Sequence, residues 1–115
     1  MYICPVCGYN KLEEEPYNFF DDGIFNASFE ICSCCGFQLG FDDDNIASQH
    51  KKKITLKEAH RIYFDNWEKK SHKIFSKIKF GDRIITDYLP GKLVEIQKEN
   101  IILNNDDYNQ IILVM

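Results

Sequence analysis

Two copies of one short device constrain this chain more than anything else in it: Cys4-Pro5-Val6-Cys7-Gly8 and Cys32-Ser33-Cys34-Cys35-Gly36. Each is a pair of cysteines two residues apart, followed by glycine. The two intervening residues let both sulfurs turn toward one point, and the glycine permits the tight backbone turn that aims amides at them. Each pair supplies half of a tetrahedron. Joined, Cys4, Cys7, Cys32 and Cys35 form a closed shell of four thiolates around one structural zinc ion, with no position left for a substrate water. A redox dithiol needs one pair at a helix start in a β-α-β setting, whereas here matched pairs lie in turn-rich sequence. Soft thiolates also accept iron, so spacing alone leaves the metal open between zinc and an iron centre.

The chain has 115 residues, 44% of them hydrophobic and 14% aromatic, enough material for one apolar core reinforced by a metal staple. The start, Met1-Tyr2-Ile3-Cys4, shows no basic region followed by a long apolar run, and the longest apolar run, Ile111 to Met115, falls far short of the roughly 20 residues of a membrane span. The expectation is a cytoplasmic protein that does not enter the membrane. In that reducing compartment an odd number of cysteines speaks for metal ligation over a disulfide framework. With 14 basic and 18 acidic side chains the formal net charge is −4, which argues against general affinity for nucleic-acid backbone. The charge is uneven: Glu13 to Glu15 and Asp42 to Asp44 are acidic, whereas Lys51 to Lys53, Lys69, Lys70, Lys73, Lys77 and Lys79 make the middle basic.

Three segments follow: a zinc-ribbon-like cysteine module over 1–53, one long amphipathic helix over 54–79, and a small antiparallel β-sheet or partial barrel over 80–115, together an α+β fold. Thr55-Leu56-Lys57-Glu58 reads as a capping box that starts the helix. Leu56, Ala59, Tyr63, Trp67, Ile74 and Ile78 fall on one helical stripe, which predicts a core face with Trp67 packed inside. After Gly81 come β-branched clusters, Arg83 to Asp87, Leu93 to Gln97, Ile101 to Leu103 and Tyr108 to Val114. Leu89-Pro90-Gly91-Lys92 between them suits a type II turn, and Asn104 to Asp107 a second turn. Leu93 and Ile96 do not alternate cleanly with Val94, so the register is left unspecified.

Cys34 is the spare cysteine, able to exchange with Cys35 or to face solvent as a free thiol, and no histidine or asparagine partner in the sequence marks it as a nucleophile. His50, His60 and His72 lie outside a zinc spacing, and His60 and His72 read as surface or edge residues of the helix.

At its cysteine motifs the chain resembles the bacterial CPCC family of small cysteine-rich proteins. The likeness runs through Cys4-Pro5-Val6-Cys7-Gly8-Tyr9, Leu12, Pro16-Tyr17, Ser28 to Cys32, Cys34 to Phe37 and Asp42 to Asp44. It continues more weakly through Thr55 to Ala59 and Trp67. Ser33 stands where that family usually has proline, and the C-terminal third has no counterpart in the likeness. The resemblance implies a zinc-binding accessory protein with no established reaction, in a group that includes proteins similar to the immunity partners of bacterial toxins.

Function is therefore expected to be binding and not catalysis, since neither an open metal site nor a phosphate loop is visible. The first expectation is a protein partner, such as a basic toxin, met by Asp42, Asp43 and Asp44. The alternative is a nucleic-acid-binding zinc ribbon using Lys51 to Lys53 and the lysines after Trp67, with aromatics available to stack.

Overall fold

Each cysteine pair folds into the same turn. In the computed structural model, which describes residues 1–19, 25–50, 53–80, 86–104 and 112–113, Gly8 N–H donates to Cys4 O at 2.9 Å and Gly36 N–H to Cys32 O at 2.8 Å. Cys4 N–H reaches Tyr9 O at 2.7 Å and Cys32 N–H reaches Phe37 O at 2.9 Å. Both glycines sit at φ +82°, a left-handed conformation that any Cβ would strain. Single antiparallel bridges, Tyr2 with Leu12 and Ile31 with Gln38, close the base of each turn.

Between the two knuckles runs a short hairpin, β1 (Tyr17–Phe19) paired antiparallel with β2 (Phe25–Ala27), Tyr17 opposite Ala27. After the second knuckle comes α1 (Asp42–Ser48), with three aspartates in its first turn, where the helix dipole favours anions. β3 (Ile54–Thr55) leads into α2 (Leu56–Lys69), and the predicted capping box is present: Thr55 Oγ1 accepts from Glu58 N, and Glu58 Oε1 accepts from Thr55 N. β4 (Ile112–Leu113) returns to pair antiparallel with β3. The core lies between the knuckles and α2. Phe37 sits at its centre, edge-on to Tyr63 at 4.9 Å and to His60 at 5.3 Å between ring centroids.

Three expectations need correction. The helix expected over 54–79 stops at Lys69, followed by a turn and the short α3 (Lys77–Phe80). Ser71 and His72 take φ +62° and +60°, conformations that β-carbons disfavour, so the chain reverses there without the glycine or proline that would mark it in sequence. The helical stripe loses its phase at this point: Leu56, Ala59 and Trp67 are buried, but Ile78 is 97% exposed.

The second correction concerns the C-terminal third, where Gly91–Asn104 is a helix, α4, in place of the strands expected at Leu93–Gln97 and Ile101–Leu103. Pro90 enters this helix, a place where its missing N–H costs nothing, and its carbonyl accepts from Leu93 N and Val94 N. Val94 is buried, and Gln97 and Ile101 follow at helical spacing on the same side, while Leu93 and Ile96 remain exposed. Their β-branched neighbours suggested strand, and packing against the first knuckle overrides that propensity. Of the other C-terminal calls, most of Arg83 to Asp87, the second turn from Asn105 to Asp107 and all of Tyr108 to Val114 except Ile112 and Leu113 lie outside the described residues, as do Lys51 and Lys52, while Asn104 ends α4.

The third correction is His60, which is buried instead of lying at the surface.

Trp67 is buried as expected. Its Nε1–H donates to Lys73 O at 2.8 Å, and its ring meets His72 and Phe64 edge-on. The indole thus fixes the turn that ends α2. Trp67→Ala is expected to cost roughly 3–5 kcal/mol in chemical denaturation, the usual loss for emptying an aromatic core site, and the native emission is expected to be blue-shifted and shielded from quenchers.

Candidate metal centre

The knuckles bring four sulfurs together. Cys4, Cys7, Cys32 and Cys35 are all buried, and their Sγ atoms lie within 4.8 Å of one another. Cys4 Sγ is 3.9 Å from Cys35 Sγ, and Cys7 Sγ is 3.7 Å from Cys32 Sγ. No disulfide joins them. A tetrahedral ion with bonds of roughly 2.3 Å sets its ligands about 3.8 Å apart, so this spacing suits one small ion held by all four. The two closest contacts both cross from one knuckle to the other, so the site also ties residues 4–7 to residues 32–35.

Protons compete for the same sulfurs. Burial pushes the Cys7 and Cys35 thiols well above their ordinary range, and hydrogen bonding within the cluster adds to the effect. At Cys4 burial pulls the same way, but the thiols of Cys32, Cys35 and Cys7 outweigh it and hold Cys4 well below its usual value. One sulfur ionises readily and its neighbours resist until a cation compensates them. Metal uptake must therefore release protons.

Three elements buttress the knuckles through their carbonyls. On the first, α4 supplies side chains: Gln97 Nε2 donates to Cys7 O and Asn100 Nδ2 to Gly8 O, each at 3.0 Å. Gly8 is pressed so closely on α4 that a Cβ there would lie 1.9 Å from Gln97 O. On the second, Phe75 N–H donates to Cys34 O and Ser76 N–H to Ser33 O, both at 2.9 Å, and the Tyr63 hydroxyl of α2 donates to Cys35 O at 3.0 Å. Cys34 stands outside the four-sulfur group and is buried instead of facing solvent, with Gln97 Nε2 at 3.6 Å from its sulfur.

The acidic turn proves different from its sequence reading. Asp43, expected on a docking surface, is 1% exposed and accepts from the Tyr17 hydroxyl, from Gly40 N at 3.1 Å and from Asp44 N at 2.9 Å. Because the hydroxyl proton goes to Asp43, the Tyr17 oxygen accepts in turn from His60 Nε2–H at 2.9 Å. This buried chain joins α2, β1 and α1, and its carboxylate is fully occupied. Asp42 is half-buried with its carboxylate on Gln38 N at 2.7 Å, and only Asp44 of the three is exposed. His60 was legible after all: it lies four residues after Leu56 and three before Tyr63, on the core stripe.

No family model matches the chain, and no solved structure matches it. Two curated proteins of Bacillus subtilis (strain 168) are similar. The uncharacterized protein YozI is 40% identical over 48 residues, 42% of this chain and 38% of that protein. The uncharacterized protein YoaQ is 39% identical over 44 residues, 38% of this chain and 35% of that protein. The likeness thus spans between a third and two fifths of each relative's length. Among the described residues no helix is long and apolar enough to cross a membrane.

Two outcomes are expected. Purified protein carries one metal ion per chain by elemental analysis, and serine at Cys4, Cys7, Cys32 or Cys35 lowers that content, while Cys34→Ser leaves it largely intact; equal loss at Cys34 would overturn the ligand assignment. Burial holds His60 down to about 3, whereas an unfolded histidine titrates near 6.5. Between those values the unfolded chain binds a proton that the folded one refuses, so stability is lost as pH falls below about 6.5, by up to roughly 1.4 kcal/mol per unit. In denaturation series from pH 6.5 to 5, His60→Gln keeps a donor for Tyr17 and is expected to lower that slope by about one proton, with any metal contribution common to both proteins.

Proposed function

We propose that the chain is a zinc-stabilised binding protein that docks on a basic protein partner through an acidic, aromatic face, in the manner of an immunity protein meeting a toxin. The observation that carries this reading is Phe29. It is 59% exposed and sits at φ +62°, a conformation that costs a bulky residue about 1–2 kcal/mol. Most of a large ring is thus held in solvent on strained backbone. Its aromatic edge lies over Gly40, where a Cβ would come within 2.9 Å of it, and Phe41 follows, 57% exposed. Ile31, also exposed, is bridged to Gln38, whose amide donates to Phe29 O.

Acidic residues neighbour these positions in the chain. The Glu30 carboxylate accepts from Glu13 N and Glu14 N, each at 3.0 Å, which fixes the acidic loop beside Phe29. Asp44 stands exposed in the first turn of α1, just after Phe41. Apolar anchors inside a rim of one charge suit a partner of opposite charge, the anchors supplying affinity and the rim steering the encounter. Asp43 no longer belongs to that surface. Zinc is the reading of choice for the metal because four thiolates in a closed tetrahedron are its commonest structural site, and such a site offers no position for catalysis. The resemblance to the CPCC family agrees in class.

Phe29→Gly relieves the strain while deleting the ring. Its stability is expected to stay within about 1 kcal/mol of the parent, while affinity for the partner that copurifies from the native host drops about 30-fold or more, as for a hot-spot residue. Glu13→Gln with Asp44→Asn is expected to slow association mainly, as read by surface plasmon resonance. A folded Phe29→Gly, Phe41→Ala protein that keeps full affinity would sink this assignment.

A further inference from the structure

A second surface feature, remote in sequence from the acidic face, has different chemistry. A cavity of about 490 Å³ opens beside the second knuckle, lined by Tyr63, Asn66 and Trp67 of α2 and by Lys70 just past its end, together with Lys73, Ile74, Phe75 and Cys35. Its size lies within the range of small-molecule sites. Three of its walls are aromatic rings. Two of them have already spent their polar atoms elsewhere, Tyr63 on Cys35 O and Trp67 on Lys73 O, so they present apolar surface to an occupant. The third, Phe75, is 60% exposed, yet its position is fixed, because its own N–H and that of Ser76 are bonded to the second knuckle and its ring covers Gly36, where a Cβ would be 2.6 Å from Cδ1.

The rim is cationic. Lys70 and Lys73 both border the cavity and both are exposed, and among the described residues no carboxylate lines it, although acidic residues outnumber basic ones in the chain by 18 to 14. The two lysines flank Ser71 and His72, the consecutive non-glycine residues in left-handed backbone. That turn is what brings both lysines to the border of one opening, since a helix continuing past Lys69 would have carried Lys73 further along its axis. Asn66 adds an amide able both to donate and to accept.

We propose that this cleft binds a nucleobase-bearing phosphate, with the base against Phe75 and the aromatic floor, its edge at the Asn66 amide, and the phosphate between Lys70 and Lys73. A planar heteroaromatic ring gains from stacking on an exposed aromatic, and a phosphate gains from paired ammonium groups, whereas an uncharged apolar ligand would leave the lysines unused. The same chemistry is offered by a free nucleotide and by one nucleotide of a single strand, and the test separates them.

Trp67, the single tryptophan, lines the cleft and reports on its occupancy. The metal-loaded protein is titrated with ADP, adenosine, ribose 5-phosphate and a twelve-residue oligothymidylate at low and moderate salt, following indole emission and the heat of binding. ADP is expected to bind at least tenfold more tightly than adenosine or ribose 5-phosphate, since each fragment keeps only one half of the recognition, and salt is expected to weaken it. Phe75→Leu, which keeps apolar cover over Gly36, and Lys70→Ala with Lys73→Ala are each expected to weaken ADP about tenfold, with metal content and thermal melting unchanged. If the oligonucleotide binds at least tenfold more tightly per site than ADP and is weakened by the same variants, the occupant is a single strand. If neither probe binds, or if binding is indifferent to Phe75, Lys70 and Lys73, the proposal is wrong. Phe29→Gly leaves this titration unmoved, so the outcome is independent of the acidic face.

Discussion

Four sulfurs that repel one another as thiolates and crowd one another as thiols occupy the middle of this protein. Everything else is arranged around that conflict. A single metal ion held by all four would resolve it by replacing protons with one shared charge. Such an ion would also join two loops far apart in sequence, which a domain of this size must otherwise hold by apolar burial. The hydrophobic core wraps the site on one side, with Phe37, immediately after the second knuckle, at the meeting point of Tyr63 and His60. The four-sulfur cluster and the core are thus one structural unit.

The local devices with fixed spacing were legible in the sequence. Cysteine pairs followed by glycine, and threonine three residues before glutamate, encode geometry within a few residues, and both took the expected form. What escaped was set by distant contacts. The run from Leu93 to Leu103 carries branched residues that suit a strand, and only its fit against the first knuckle makes it helical; Val94, Gln97 and Ile101 hold the correct period, masked by the exposed Leu93 and Ile96. The end of α2 was unreadable for another reason, since its left-handed residues are serine and histidine, neither of which announces a stop.

The acidic run shows how composition can mislead about exposure. Asp42, Asp43 and Asp44 are equivalent as letters, yet they face three environments: one carboxylate supports Gln38, one anchors a buried relay to Tyr17 and His60, and one is left to solvent. A seven-residue helix rotates successive side chains by about 100°, so three neighbours cannot share a surface. The aromatic face around Phe29 gave no comparable signal, because exposure of a ring and the sign of φ are both invisible in a string of residue types.

The two knuckles share one backbone path but are supported by different kinds of donor. The second leans mainly on main-chain amides of Phe75 and Ser76, which persist whatever side chains those positions carry, with the Tyr63 hydroxyl as its side-chain donor. The first leans on the side-chain amides of Gln97 and Asn100, which exist only while those two residues do. The halves of the site therefore differ in evolutionary robustness. Substitutions at Phe75 and Ser76 leave those two main-chain donors in place, whereas replacing Gln97 and Asn100 removes both side-chain bonds that α4 makes to the first turn. The first knuckle's hold on the C-terminal helix is thus the more sensitive of the two to the identity of single side chains.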